Sequence, residues 1–155
     1  MGGDLRERAR DPAAVTAALK EAERRLAAEE TVVLHTYAGQ AARLLGRHDL
    51  AIRYLARAHE LAPSARTGIR LGEAYRCADR LPDAERELRA ALEESRGTPD
   101  EHFALQHLGK TLADAGRREE AAHALEDALA LRRAAGDSEL VASTEAALER
   151  LRRQA

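Results

Sequence analysis

The residues of this chain whose chemistry reaches beyond packing are six histidines, one cysteine and a scatter of serines and carboxylates. His35, His48, His59, His102, His107 and His123 never recur at the i, i+4 spacing that puts two imidazoles on one helix face, and no HExxH run occurs. They are expected on surfaces or in packing, not around a metal. Nucleophilic catalysis needs an activated Ser or Cys beside a base and an orienting group. Ser64, Ser95 and Ser138 stand at expected helix boundaries, where capping accounts for them. Cys77 has Arg76 beside it, which can lower a thiol's pKa, yet a lone cysteine near a helix end reads better as a small buried apolar group. It also excludes an internal disulfide. The glycines are isolated and do not form a phosphate-cradling loop, and the pairs Glu93-Glu94 and Glu119-Glu120 are sequence neighbours that need not converge. The expectation is a chain with no catalytic residue, no metal and no cofactor.

The elements that carry these residues follow from composition. Hydrophobic residues make up 45% of the 155, aromatics only 3%, and tryptophan is absent, so the core must be built from Leu and Ala. Both are strong helix formers, and no stretch alternates long enough to read as a strand: the chain is expected to be all-α, a single domain over 1–155. A formal charge of −2 provides no global basic field, which argues against a nucleic-acid or membrane partner. Met1 to Arg10 lacks the apolar run of a signal peptide and is expected to be disordered, and Arg6 stands where a myristoylation motif needs Ser or Thr. With no window long and apolar enough for a membrane span, the expected location is cytoplasmic. Heavy use of Ala and Arg suggests a GC-rich bacterial source.

Self-comparison reveals a repeat. Gly39, Gly72 and Gly109 are each followed twelve residues later by an alanine, Ala51, Ala84 and Ala121. Four residues further come Leu55, Leu88 and Leu125, and three beyond those come Ala58, Ala91 and Ala128. The period is 33 residues and then 37, the extra residues falling around Glu94 to Asp100. A helical hairpin explains the choice: the glycine on a first helix leaves room for a second helix to approach, two alanines do the same from the other side, and the leucine fills the space.

These residues resemble the tetratricopeptide repeat, whose first helix carries an aromatic, then leucine-glycine, then tyrosine. The matching sets are His35-Ala38-Gly39-Ala42, Gly68-Leu71-Gly72-Tyr75 and Leu105-Leu108-Gly109-Leu112. The family's closing proline survives as Pro63, with Arg96 and Arg133 in its place in the later copies. The resemblance spans residues 32 to 135. It implies a right-handed α-α superhelix of three helical hairpins, at 32–64, 65–98 and 102–135, between capping helices at 11–30 and 137–155.

Local signals agree with this register. Helices are expected near 12–29, 32–45, 48–61, 64–78, 81–95, 99–115, 117–134 and 138–153. Asp11-Pro12 reads as a cap followed by an N1 proline, and Thr98 to Glu101 as a capping box whose Glu101 reaches back to the cap amide. Gly46, Asp79 and Gly116 fall where each hairpin turn needs a left-handed residue. Val15, Leu19, Ala22 and Leu26, and Leu140, Val141, Thr144, Leu148 and Leu151, form apolar stripes on the flanking helices, which are expected to close the array.

Proteins of this kind bind partners on the concave wall formed by the first helices. In this register the wall carries Tyr37, Gln40 and Arg43 from the first copy, Arg66, Ile69, Arg70, Glu73 and Arg76 from the second, and Phe103, Gln106, His107 and Lys110 from the third. Arginines and a lysine predominate, with Ile69 and Phe103 as apolar anchors. Chaperone-adaptor members clamp a terminal carboxylate here, but Thr36, Gln40, Phe103 and His107 break that clamp. The expected function is a scaffold that accepts an acidic peptide or protein segment. The alternative is self-association, for example as a homodimer.

Overall fold

A computed structural model describes residues 10–154, and the expected disorder of the first residues lies outside them apart from Arg10. The described residues form eight helices and no strand: α1 (Pro12–Leu26), α2 (Val32–Leu44), α3 (His48–Leu61), α4 (Ala65–Cys77), α5 (Leu81–Ser95), α6 (Glu101–Asp114), α7 (Arg118–Ala135) and α8 (Ser138–Arg153). The chain is all-helical, as composition required.

The starts and stops show why these segments are helices. Asp11 accepts the Ala14 N–H at 3.0 Å with Pro12 behind it, and Thr31 accepts the Leu34 N–H at 3.2 Å. To cap α2, Thr31 must be extended (φ −134°, ψ 152°), so α1 ends at Leu26, short of residue 29. Ser64 opens α4 through a reciprocal capping box with Thr67. Two start signals differ from expectation. Asp137, not Ser138, caps α8, and α6 begins at Glu101 with Asp100 as its cap residue. Thr98 turns its hydroxyl back to the Ser95 carbonyl at 2.7 Å, while the Glu101 carboxylate accepts the Gly97 N–H at 2.8 Å. Glu101 does reach back, but past Thr98, because Gly97 is left-handed (φ 73°) and turns its amide toward the helix.

All three hairpins close in the same way. Gly46, Asp79 and Gly116 have φ of 72°, 64° and 76°, and the next residue donates its N–H to a carbonyl five back, Arg47 to Ala42, Arg80 to Tyr75 and Arg117 to Leu112, each at 2.9 Å. Aspartate is one of the few side chains tolerated in this conformation.

Each hairpin is locked by one contact. A Cβ built on Gly39, Gly72 or Gly109 would lie 2.5, 2.6 or 2.7 Å from the Cγ of Leu55, Leu88 or Leu125, so the leucine occupies the space a side chain would need. The alanines on either side of each leucine are buried as well.

The hairpins α2/α3, α4/α5 and α6/α7 stack in order, with α3 on α4 and α5 on α6. Helix α1 meets α2 as α3 meets α4, so it occupies the place of a second helix. Helix α8 packs on α7 and also on α6, and so occupies the place of a first helix. The wall running through α2, α4 and α6 therefore continues into α8. Eight residues after its N-cap, where α2 and α4 have Gly39 and Gly72, α8 carries Glu145, whose carboxylate accepts from Arg133 at 2.7 Å.

The inner stripe of α8 is built into the core: Ala147, Leu148 and Leu151 join Leu125 and Leu129 in one buried cluster. Deleting residues 137–155 is expected to lower the melting temperature and to cause aggregation or dimerisation, because each apolar side chain returned to water costs about 1.5 to 3 kcal/mol. Calorimetry with light scattering checks this, and an equally stable monomer would make α8 an appendage.

Candidate functional site

Ten of the twelve residues expected on the groove line one concave cavity of about 510 Å³: Gln40, Arg43, Arg66, Ile69, Arg70, Glu73, Phe103, Gln106, His107 and Lys110. Asp100, Arg132, Leu140 and Ser143 complete it.

Tyr37 lies elsewhere. It is 56% exposed beside Val33 at the N-terminal end, lining a separate depression of about 490 Å³ between α1 and α2. Arg76 is a correction. It is 1% exposed, and its Nη1 donates to Asp114 at 3.0 Å, an ion pair that joins α4 to α6 and leaves no face for a ligand. Ile69 is also corrected, since it is buried in the core as part of the cavity floor instead of standing out as an anchor.

Within the cavity the charges differ in character. Arg43 is buried, donates from Nε to Gln40 at 2.9 Å and comes within 3.5 Å of the Glu73 carboxylate. Arg66 is exposed and donates to Asp100 at 2.9 Å. Arg70, half-buried, makes no hydrogen bond or ion pair with any described residue. Burial alone would raise the pKa of Glu73, but His107, Arg43, Arg76 and Lys110 together more than reverse this, and it stays ionised. Burial pushes His107 down to about 4 despite Glu73, so near neutral pH the imidazole is uncharged. Burial, reinforced by Arg76 and Arg132, also lowers the pKa of Lys110.

Near α8 the wall is formed by Phe103 and Arg132. The Arg132 guanidinium lies 5.7 Å from the Phe103 ring centroid, and the His102 ring packs on Phe103 at 4.0 Å. Gln106 is 2% exposed, and neither its amide nitrogen nor its oxygen has a hydrogen-bond partner. Arg43, Arg66, Arg70, Lys110 and Arg132 face only Glu73 and Asp100, so the cavity is net positive inside a chain that is net negative.

Arg132 is the cation that sequence reasoning missed, because it belongs to a second helix and those were assigned to the outer layer. A signal existed. Four residues beyond the last repeat alanine, the copies carry Ala62, Ser95 and Arg132, so a large cation replaces two small residues.

Stacked helical hairpins with a concave cavity on the first-helix side define an α-helical solenoid. The family model of the tetratricopeptide repeat matches residues 104–134. Among solved structures, YrrB, described as a TPR protein with an unusual peptide-binding site, superposes with a TM-score of 0.70 at 24% identity, covering 86% of this chain and 66% of its own. MamA from AMB-1 gives 0.66 at 28% identity over 78% of this chain and 71% of that one, and a further MamA structure gives 0.67 at 18% over 97% and 94%. This chain thus spans a little under two thirds of YrrB. No curated protein sequence matches it. Residues 104–134 thus match a tetratricopeptide repeat, and the chain shares the fold of these solved TPR structures. No helix among the described residues is long and apolar enough to cross a membrane.

Proposed function

We propose that this chain is a non-catalytic protein-interaction scaffold that accepts an acidic peptide or protein segment in the cavity along α2, α4, α6 and α8. The observation that carries this reading is Arg70, a cation with no partner among the described residues, in a cavity where cations outnumber carboxylates. A low-dielectric wall of one sign concentrates ligands of the other and speeds their encounter. The use of stacked repeats as interaction surfaces supports the same reading, and YrrB, which shares the fold, is described as having an unusual peptide-binding site. A cytoplasmic setting fits the free thiol of Cys77.

Arg70→Glu is expected to weaken acidic-peptide binding by about 1 to 3 kcal/mol, with the melting temperature unchanged and wild-type affinity falling as salt rises. Titration of acidic and basic peptides against both proteins checks this. Equal affinities throughout would discard the proposal.

Self-association is the second reading, on Val33 (76% exposed) and Tyr37 beside the depression between α1 and α2. Sedimentation over a range of concentrations separates it from ligand binding.

A further inference from the structure

Arg132 is the most anomalous charge among the described residues. It is 2% exposed, yet every acceptor it meets is neutral: Nε donates to His102 Nδ1 at 3.1 Å, and Nη1 to the Leu140 carbonyl at 3.1 Å and Thr144 Oγ1 at 2.7 Å. Nη2 donates to no described acceptor, and no described carboxylate lies within ion-pair distance of the guanidinium. Burial lowers its pKa, with only the more distant charge of Asp137 opposing. A buried cation without a counter-charge is costly, and proteins rarely keep one unless something binds to it.

Lys110, in the same cavity, repeats the pattern from α6. It makes no hydrogen bond or ion pair with a described residue, and Arg76, Arg132 and Arg150 all raise the positive field around it against Glu73 alone. Gln106 leaves a donor and an acceptor unsatisfied in this wall.

We infer that the α8 end of the cavity is a carboxylate subsite, where Arg132 Nη2 and the Lys110 ammonium together hold one acidic side chain of a bound peptide. This rests on the groove reading above and adds the point of attachment. The chemistry favours a carboxylate over a phosphate. Two of the three guanidinium nitrogens are already engaged, leaving one donor group from each residue for two oxygens, and the Glu73 charge opposes a dianion. The unsatisfied Gln106 amide offers its NH2 as a donor group and its carbonyl oxygen as an acceptor, the complement of a peptide group. Leu140 and Ser143 bring α8 into the subsite, so the capping helix also forms a wall of it.

The test uses the full chain and three peptides with blocked termini, identical except for a central glutamate, glutamine or phosphoserine. Binding is followed by calorimetry and by nitrogen-15 NMR of the arginine and glutamine side chains. The glutamate peptide is expected to shift the Arg132 and Gln106 signals and to lose roughly tenfold or more in affinity with either Lys110→Met or Arg132→Met, while the glutamine peptide binds weakly and alike to all three proteins. Arg132→Met is expected to keep or raise the melting temperature, since it removes an uncompensated charge; a purely structural arginine would lower it. If Arg132→Met does not fold, Lys110→Met alone decides. If the glutamate peptide binds both variants as it binds wild type while Arg70→Glu weakens it, the groove reading stands and the subsite is overturned. If the phosphoserine peptide binds tighter than the glutamate peptide, the carboxylate assignment is overturned. If no peptide binds wild type, both readings fall.

Discussion

Gly72→Leu is expected to destabilise the protein by about 1 to 3 kcal/mol, the typical cost of forcing added bulk into a packed core. The first added atom would lie 2.6 Å from Leu88 Cγ and 2.9 Å from Cδ2, and Leu88, fully buried, has no free space to move into. For a domain of this size each kcal/mol shifts the melting temperature by roughly 2 to 4 °C, well within reach of circular dichroism. The contact itself is isolated by a cycle. Leu88→Ala alone is expected to cost about 2 to 5 kcal/mol as a cavity. Gly72→Ala in that background should cost less than in wild type, because the new methyl enters the space left by the leucine. Additive costs would show that the two residues do not meet.

Arg76→Glu is expected to be more damaging, by about 3 to 5 kcal/mol, because it replaces a buried cation with a carboxylate held against Asp114 and close to Glu73. Thermal melting checks it, and an unchanged midpoint would mean that Arg76 reaches solvent. Beside it, Arg70→Glu should melt like wild type. Two arginines six residues apart on one helix thus give opposite phenotypes: Arg70 in stability-neutral binding, Arg76 in folding. Combining the two reversals would lose the fold and leave the loss of binding uninterpretable.

That contrast marks how far the sequence could be read. Spacing was sufficient for the hairpins, since the glycine, leucine and alanine contacts are local and repeat with constant internal distance, and the left-handed turn at Asp79 followed from its alignment with Gly46 and Gly116. It was sufficient for Arg66 and Arg70, one turn apart on the same face. Arg76 is more than one further turn along and rotated away, onto the side that α6 covers. Periodicity reports which way a side chain leaves its helix, but not how far the next helix extends over it. Ile69 was misjudged for that reason: it leaves its helix toward the groove, yet it is buried in the core. Arg132 was missed because a long side chain from an outer helix can reach inward past its own layer, whereas face assignment considers only its Cα.

The Glu145–Arg133 pair makes the two ends of the solenoid unequal as building material. In every hairpin the second helix inserts a leucine where the first has a glycine, and at that position α8 has a carboxylate held by its neighbour. A further helix could not dock behind α8 without burying that ion pair or breaking it, so an engineered array growing in this direction would first need Glu145→Gly and a new partner for Arg133. At the other end, α1 already carries Leu19 seven residues from its start, the same place that Leu55 holds in α3. A grafted segment that ends in a first helix, with a glycine opposite Leu19, should therefore join ahead of α1 in the native register, so that the molecule has a direction of growth as well as a concave side.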